Sequence, residues 1–234
     1  MTDPDRPSFT FDSAAAPGTG DEPGAPPGSL WAQMKADPQY APEHLALEAV
    51  RRLGPEAQRW AAQVRAAQPG ITADALARLA VKRFINHARL SGAVSGAVGL
   101  PGAMVDVGVL AWTQCRMVLH MAAAYGVDPT GPDRATDLLV LQRVHKVAES
   151  ARVALGVAAG RERAGRLFAS AGEQPLTGVM VNLGVKLARM AGVRAARRTF
   201  AKVVPGASVV LGTWANSAAT KDLALRTEQY YRSA

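Results

Sequence analysis

Catalysis by side chains needs a nucleophile, a base or a metal-ligand set held within reach of one another, and few residues of this chain could supply one. There is one cysteine, Cys115, and there are four histidines, His44, His87, His120 and His145, far apart in sequence and each in a stretch that reads as helix. His145 and Glu149 are four residues apart and would share a helical face. A carboxylate-bridged metal site needs that pairing twice, with two further glutamates, so a solvated or partner-capped histidine is the plainer reading. Cys115 stands beside Arg116 in the apolar stretch LAWTQCRMVL, where a packed thiol is expected rather than a reactive one. The chain has no Gly-Lys dipeptide, no G-x-S-x-G, no H-E-x-x-H and no C-x-x-C, which removes the phosphate-cradling loop, the serine elbow and the commonest zinc patterns. No catalytic residue, metal or cofactor is expected.

Asp106 is the most informative single residue. It is the only charge between Arg89 and Arg116, in a small and aliphatic stretch, and an unpaired carboxylate buried there would be strongly unfavourable. It must therefore meet water or a partner. One reading is a structural bridge to an arginine, with Arg116 or the basic cluster around Arg194 as partners. The other is a polar site inside the bundle, holding a small ligand or an enzyme's substrate.

The elements that would position these residues are helices. The 234 residues are enough for one sizeable core or two small ones, and with aromatics at 6% and 22 glycines that core must be small and aliphatic. Ser29 reads as a helix cap, and Pro42 and Pro55 as first-turn prolines opening two short amphipathic helices, EHLALEAVRRL and EAQRWAAQVRAAQ. A longer helix is expected from Thr72, broken at Pro101-Gly102, then another from about Ala103 to Tyr125 with Gly126 as a left-handed C-terminal cap. Asp133 is expected to cap a helix running to about Gly156, followed by helices near 161–170, 176–201 and Gly206 to Tyr231. No stretch shows sustained period-two alternation, so the fold class is all-α, a multi-helix bundle.

Two parts of this bundle look alike. Residues 79–111 align without a gap on 183–215 and share P-G-A-x-V-x-x-G-x-x-A, from Pro101 and from Pro205-Gly206. In that register Ser91, Gly92 and Ser95 face Ala195, Ala196 and Thr199, at spacings of one helical face. The pattern predicts two helix-break-helix units, an internal duplication, each with a small-residue packing seam that also takes in Gly96.

Charge is uneven. The first 30 residues hold five acids against one base, net −4, so the rest of a +8 chain carries +12. Residues 1–28 are also rich in Pro and Gly and are expected to be a disordered acidic tail, with one helical domain over 29–234. The start is acidic and polar, unlike a secretory signal, and a single cysteine suits a reducing compartment, so a cytoplasmic location is expected. Leu90 to Val105 and Val203 to Thr220 are charge-free runs of 16 and 18 residues, short of the roughly 20 needed to span a bilayer. Lys82, Arg83 and Arg89 precede the first run as Arg194, Arg197, Arg198 and Lys202 precede the second. Bases beside half-exposed apolar helices suit anionic headgroups, peripherally at the inner face of the cell membrane, or a membrane-protein partner. Nucleic acid is the weaker rival, because the region has no interleaved aromatics and no reading motif. A merely solubilising face is the plain alternative.

The stretch SGAVSGAVGLPGAMVDVGVLAWTQCRMVLHMAAAYGVDP, residues 91–129, resembles the central signature of the bacterial EcsC family: a Gly/Ala-rich helix, a Pro-Gly break, an Asp-bearing helix and an A-Y-G-x-D-P end. The C-terminal KVVPGASVVLGTWANSAATKDLALRTEQYY resembles that family's closing helix, and the likeness covers roughly residues 75–231. Asp106, Tyr125, Gly126, Asp128, Pro205 and Gly206 carry it. Asp106-Val107-Gly108 lacks the proline that often follows the aspartate in such proteins, which implies a less kinked helix. The resemblance implies a protein of unknown biochemical activity, whose namesake is encoded beside an ABC transporter, and gives no catalytic residues.

Overall fold

The computed structural model describes residues 26–94, 100–167, 190 and 208–233, with side chains at 26–85, 107–163, 190 and 217–233. The described residues form helices α1 (Gly28–Ala36), α2 (Ala41–Ala67), α3 (Ala73–Val94), α4 (Leu100–Ala124), α5 (Asp133–Leu141), α6 (Ala148–Leu167) and α7 (Ser208–Arg232), with a 3-10 turn at Pro38–Tyr40 and no strand. The fold is an all-α bundle. At its centre is α4, against which α2, α3 and α7 pack. From Leu110 to Ala124 its one charge is Arg116, and nearly every residue there is buried, so the helix has no face to give to water and must be enclosed.

Four boundaries differ from expectation. Helix α1 starts at Gly28 with Pro27 in the cap position, so Ser29 lies inside the helix. Pro55 does not open a new helix; it sits within the single 27-residue α2. Ala46, Ala49, Val50, Leu53, Ala57 and Ala61 form one buried stripe on both sides of it, and that shared burial outweighs the roughly 3 kcal/mol an interior proline costs. Asp133 is the first residue of α5 rather than its cap, with Pro132 in that position. The expected helix to Gly156 breaks after Leu141, and α6 continues from Ala148 to Leu167, absorbing the short helix expected near 161–170. The break has the form of a glycine cap without the glycine. Arg143 has φ 59°, Val144 N–H donates to Leu139 O at 2.9 Å, and Arg143 N–H donates to Val140 O at 2.9 Å.

The end of α4 follows the sequence closely. Gly126 has φ 81°, Val127 N–H reaches Ala122 O at 2.9 Å and Gly126 N–H reaches Ala123 O at 3.2 Å. Arg65 of α2 donates to the carbonyls of Ala123 and Ala124 at 3.0 and 2.9 Å, placing a cation on the negative end of the helix dipole. Pro101 lies in the first turn of α4. Residues 1–25, the expected helix over 176–201 apart from the helical, buried Met190, and Pro205-Gly206 lie outside the described residues, so the duplication rests on sequence alone.

Candidate functional site

Helices α3 and α7 run antiparallel. At one end Asp74, near the start of α3, takes Arg232 of α7 at 2.8 Å and the Tyr125 hydroxyl at 2.9 Å, while Arg232 also holds Glu228 at 2.6 Å. Hydrogen bonds from Arg232 and then Tyr125 hold the Asp74 carboxyl below its ordinary range. Burial, followed by the adjoining carboxylate, pushes the Tyr125 phenol up to about 12. Nearby, the buried Asp137 of α5 accepts from Tyr230 at 2.8 Å, from Tyr231 at 3.0 Å and from Arg134 at 2.7 Å. The paired tyrosines thus clamp the end of α7 to α5.

From the Asp74 end a cleft of about 540 Å³ extends between α3 and α7. Its apolar lining is Ala77, Val81 and Ile85 of α3, Met121 of α4, and Ala224 and Leu225 of α7. Arg78, Lys82 and Lys221 are the cations of its lining, and Asp74 and Glu228 are its acids. Both acids are already engaged by Arg232, whereas neither Lys82 nor Lys221 makes an ion pair among the described residues. Both lysines are exposed. The arrangement joins an apolar trough to two lysines away from the Asp74 end and can hold an amphiphile.

The other reactive side chains serve the fold. His44 donates from Nε2 to Asp37 at 3.1 Å and accepts at Nδ1 from Gln33 at 3.1 Å, while Arg161 closes on the same Asp37 at 2.8 Å. With both ring nitrogens occupied and the ring buried, this Asp-His pair has no free nitrogen for a substrate. His145 does not share a face with Glu149; it lies in the break before α6 and meets Glu43 of α2 at 2.8 Å. His120 is enclosed by Trp60 and Phe84, donates from Nδ1 to Arg116 O at 2.8 Å, and has no hydrogen-bond partner at Nε2 among the described residues. Burial brings its pKa down to about 4, helped by the Arg83 and Arg116 charges. Cys115 is fully buried with Gln142 Nε2 at 3.2 Å, and burial raises its thiol to about 12, as a packed cysteine should be. Among the described residues no group of His, Cys, Asp and Glu could hold a metal ion.

The model of the EcsC protein family matches residues 66–233. The chain belongs to the EcsC family. No curated protein and no solved structure matches it. The EcsC match begins at the last residues of α2 and contains the whole cleft, so the α3-α7 trough is part of the family region, while α1 and most of α2 precede it.

Several residues singled out in the sequence can now be placed. Lys82 lies on the cleft and Arg83 is exposed beside it on α3; Arg89 is on α3 and Asp106 is in the second turn of α4, but their side chains are outside the described set. Arg116, a candidate partner for Asp106, is instead paired with Glu56 of α2 at 2.9 Å. Tyr125 joins the Asp74 cluster, and Asp128 folds its own turn, accepting from Thr130 N–H at 2.9 Å and Thr130 Oγ at 2.7 Å. Gly92 lies on α3 without a described environment, and Ser95, Gly96, Arg194, Ala195, Ala196, Arg197, Arg198, Thr199 and Lys202 lie outside the described residues. The sequence reading missed Asp74, Arg78 and Arg232 as site residues. The period of α3 alone put Arg78 and Lys82 on one face, four residues apart, but nothing short of the fold brings residue 74 to residue 232.

Proposed function

We propose that this protein is a non-enzymatic helical module that binds anionic lipid peripherally, at the cytoplasmic face of the cell membrane. The observation that carries the reading is the pair Lys82 and Lys221, exposed on two different helices at one apolar cleft, with no ion pair among the described residues. The acids of the same cleft, Asp74 and Glu228, are both held by Arg232, so neither neutralises these lysines. Peripheral rather than spanning attachment agrees with the helices themselves: among the described residues none is long and apolar enough to cross a membrane.

Sedimentation with vesicles tests the reading. The protein should pellet with vesicles containing phosphatidylglycerol, not with phosphatidylcholine alone, and binding should fade as salt rises from 0.05 M toward about 0.5 M, since the Debye length shrinks over that range. Each base near an anionic surface contributes about 1 kcal/mol, so K82Q/K221Q should weaken partitioning by about 30-fold. Binding indifferent to lipid charge and salt defeats the mechanism. Preference for duplex DNA over vesicles replaces it with a nucleic-acid reading.

A further inference from the structure

We propose that the α3-α7 cleft takes a single acyl chain of an anionic amphiphile, with its phosphate or carboxylate head between Lys82 and Lys221. This rests on the lipid-binding reading and narrows it from a surface to a one-chain site. A volume of about 540 Å³ lies within the range of small-molecule sites. The space is hollow because Ala77 and Ala224, both almost fully buried, line the opposing walls with side chains too short to fill it. Met121 lies at the base, where an unbranched, polarizable thioether can adjust to a chain. Leu225 is 60% exposed at the lip, a large apolar side chain that an occupant would cover.

The charges orient the occupant. Asp74 and Glu228 at one end are already matched by Arg232, with Arg78 beside Asp74, while Lys82 and Lys221 lie further along the two helices, on the side of Ile85, with no ion pair among the described residues. The head therefore belongs at the lysines and the tail lies on the alanine, valine and methionine floor. A sugar or a nucleotide fits poorly, because the floor between the charged ends presents no hydroxyl, amide or aromatic ring. The chemistry is common to a lipid still seated in a bilayer and to a free fatty acid or alkyl phosphate.

Titration calorimetry with monomeric dodecyl phosphate, kept below its micelle concentration, tests the site on the full chain. Saturable one-to-one binding is expected, at least 100-fold tighter than inorganic phosphate and at least 10-fold tighter than uncharged dodecyl maltoside. V81F fills the trough, and L225D puts a like charge at its exposed lip without disturbing the core; each should weaken dodecyl phosphate binding at least 10-fold. Both should still pellet with phosphatidylglycerol vesicles in a salt-sensitive manner. Failure to bind dodecyl phosphate, equal affinity for inorganic phosphate, or binding unchanged in both folded variants overturns the cleft proposal. If the wild type pellets with anionic vesicles in those cases, the peripheral reading stands without it. If dodecyl phosphate binds and is lost in V81F and L225D but vesicles do not bind, the cleft is a site for free amphiphiles and the membrane reading falls.

Discussion

His120 shows how a residue that invites a catalytic reading can be part of the core. Its ring is fully buried against Trp60 and Phe84, and the neighbouring Glu56 carboxylate, 3.9 Å from Nε2, is already taken by Arg116 at 2.9 Å. The ring is therefore held neutral, with a folded-state pKa of about 4 against an ordinary 6.5. As pH falls below 6.5 the unfolded chain takes a proton that the folded chain refuses, so stability drops until the folded pKa near 4 is passed. The loss across that window is about 3 kcal/mol. H120M keeps an apolar side chain in the same space and removes the titration, so the wild type should lose more stability than H120M between pH 6.5 and 4 in urea melts. Parallel pH profiles would show that the ring takes up protons without unfolding. At this scale the sequence was readable for Cys115 and Gly126, whose neighbours along one helix decide their state. It was not readable for His145 or Arg116, because Glu43 and Glu56 reach them from α2 and lie 102 and 60 residues away in the chain.

Glycine-containing helices illustrate what periodicity can and cannot reveal about an element. Gly54 sits inside α2, where alanine would ordinarily be the better helix former, yet a Cβ there would meet Pro129 O at 2.7 Å. Gly156 and Gly160 on α6 have nothing within 4 Å of such a Cβ. The same substitution should therefore have opposite signs. G54A forces α2 from the loop after α4 and should destabilise by about 1 to 3 kcal/mol, whereas G156A and G160A should each stabilise by about 0.5 to 1 kcal/mol. Thermal melts of the three variants check this, and a stabilised G54A would show that the loop moves freely. Local sequence gave helix type and most termini, because α3, α4 and α7 have long uninterrupted patterns. The break before α6 was hidden because Arg143 adopts a left-handed conformation that glycine usually signals. It is held from outside, through Gln142 on Cys115 and His145 on Glu43.

The whole molecule depends on helices that lie outside the family match. The EcsC region begins at residue 66, yet Glu56 pairs with Arg116, Arg65 caps α4, and Trp31 of α1 lies so close to Gly108 that a Cβ there would overlap its ring. The small residue of Asp106-Val107-Gly108 is thus the seat of an aromatic ring from the N-terminal helix, a use that its place in a Gly/Ala-rich pattern did not disclose. Leu30, Met34, Leu45, Val50 and Leu53 are almost fully buried from α1 and α2. At about 1.5 to 3 kcal/mol for each such side chain, these five account for about 7 to 15 kcal/mol of burial, as much as the whole net stability of an ordinary domain. Removing residues 1–65 also bares the face of α4 that α2 covers, leaving a central helix with Leu110, Trp112 and Met117 among its buried side chains and Arg116 without its carboxylate. A chain of residues 66–234 should therefore lack a cooperative melt and bind a hydrophobic dye, although it retains the entire family-matched region. The full chain should melt in one transition. A 66–234 chain melting cooperatively within a few degrees of the full protein would show that the EcsC region is self-sufficient and that α1 and α2 are an appended layer.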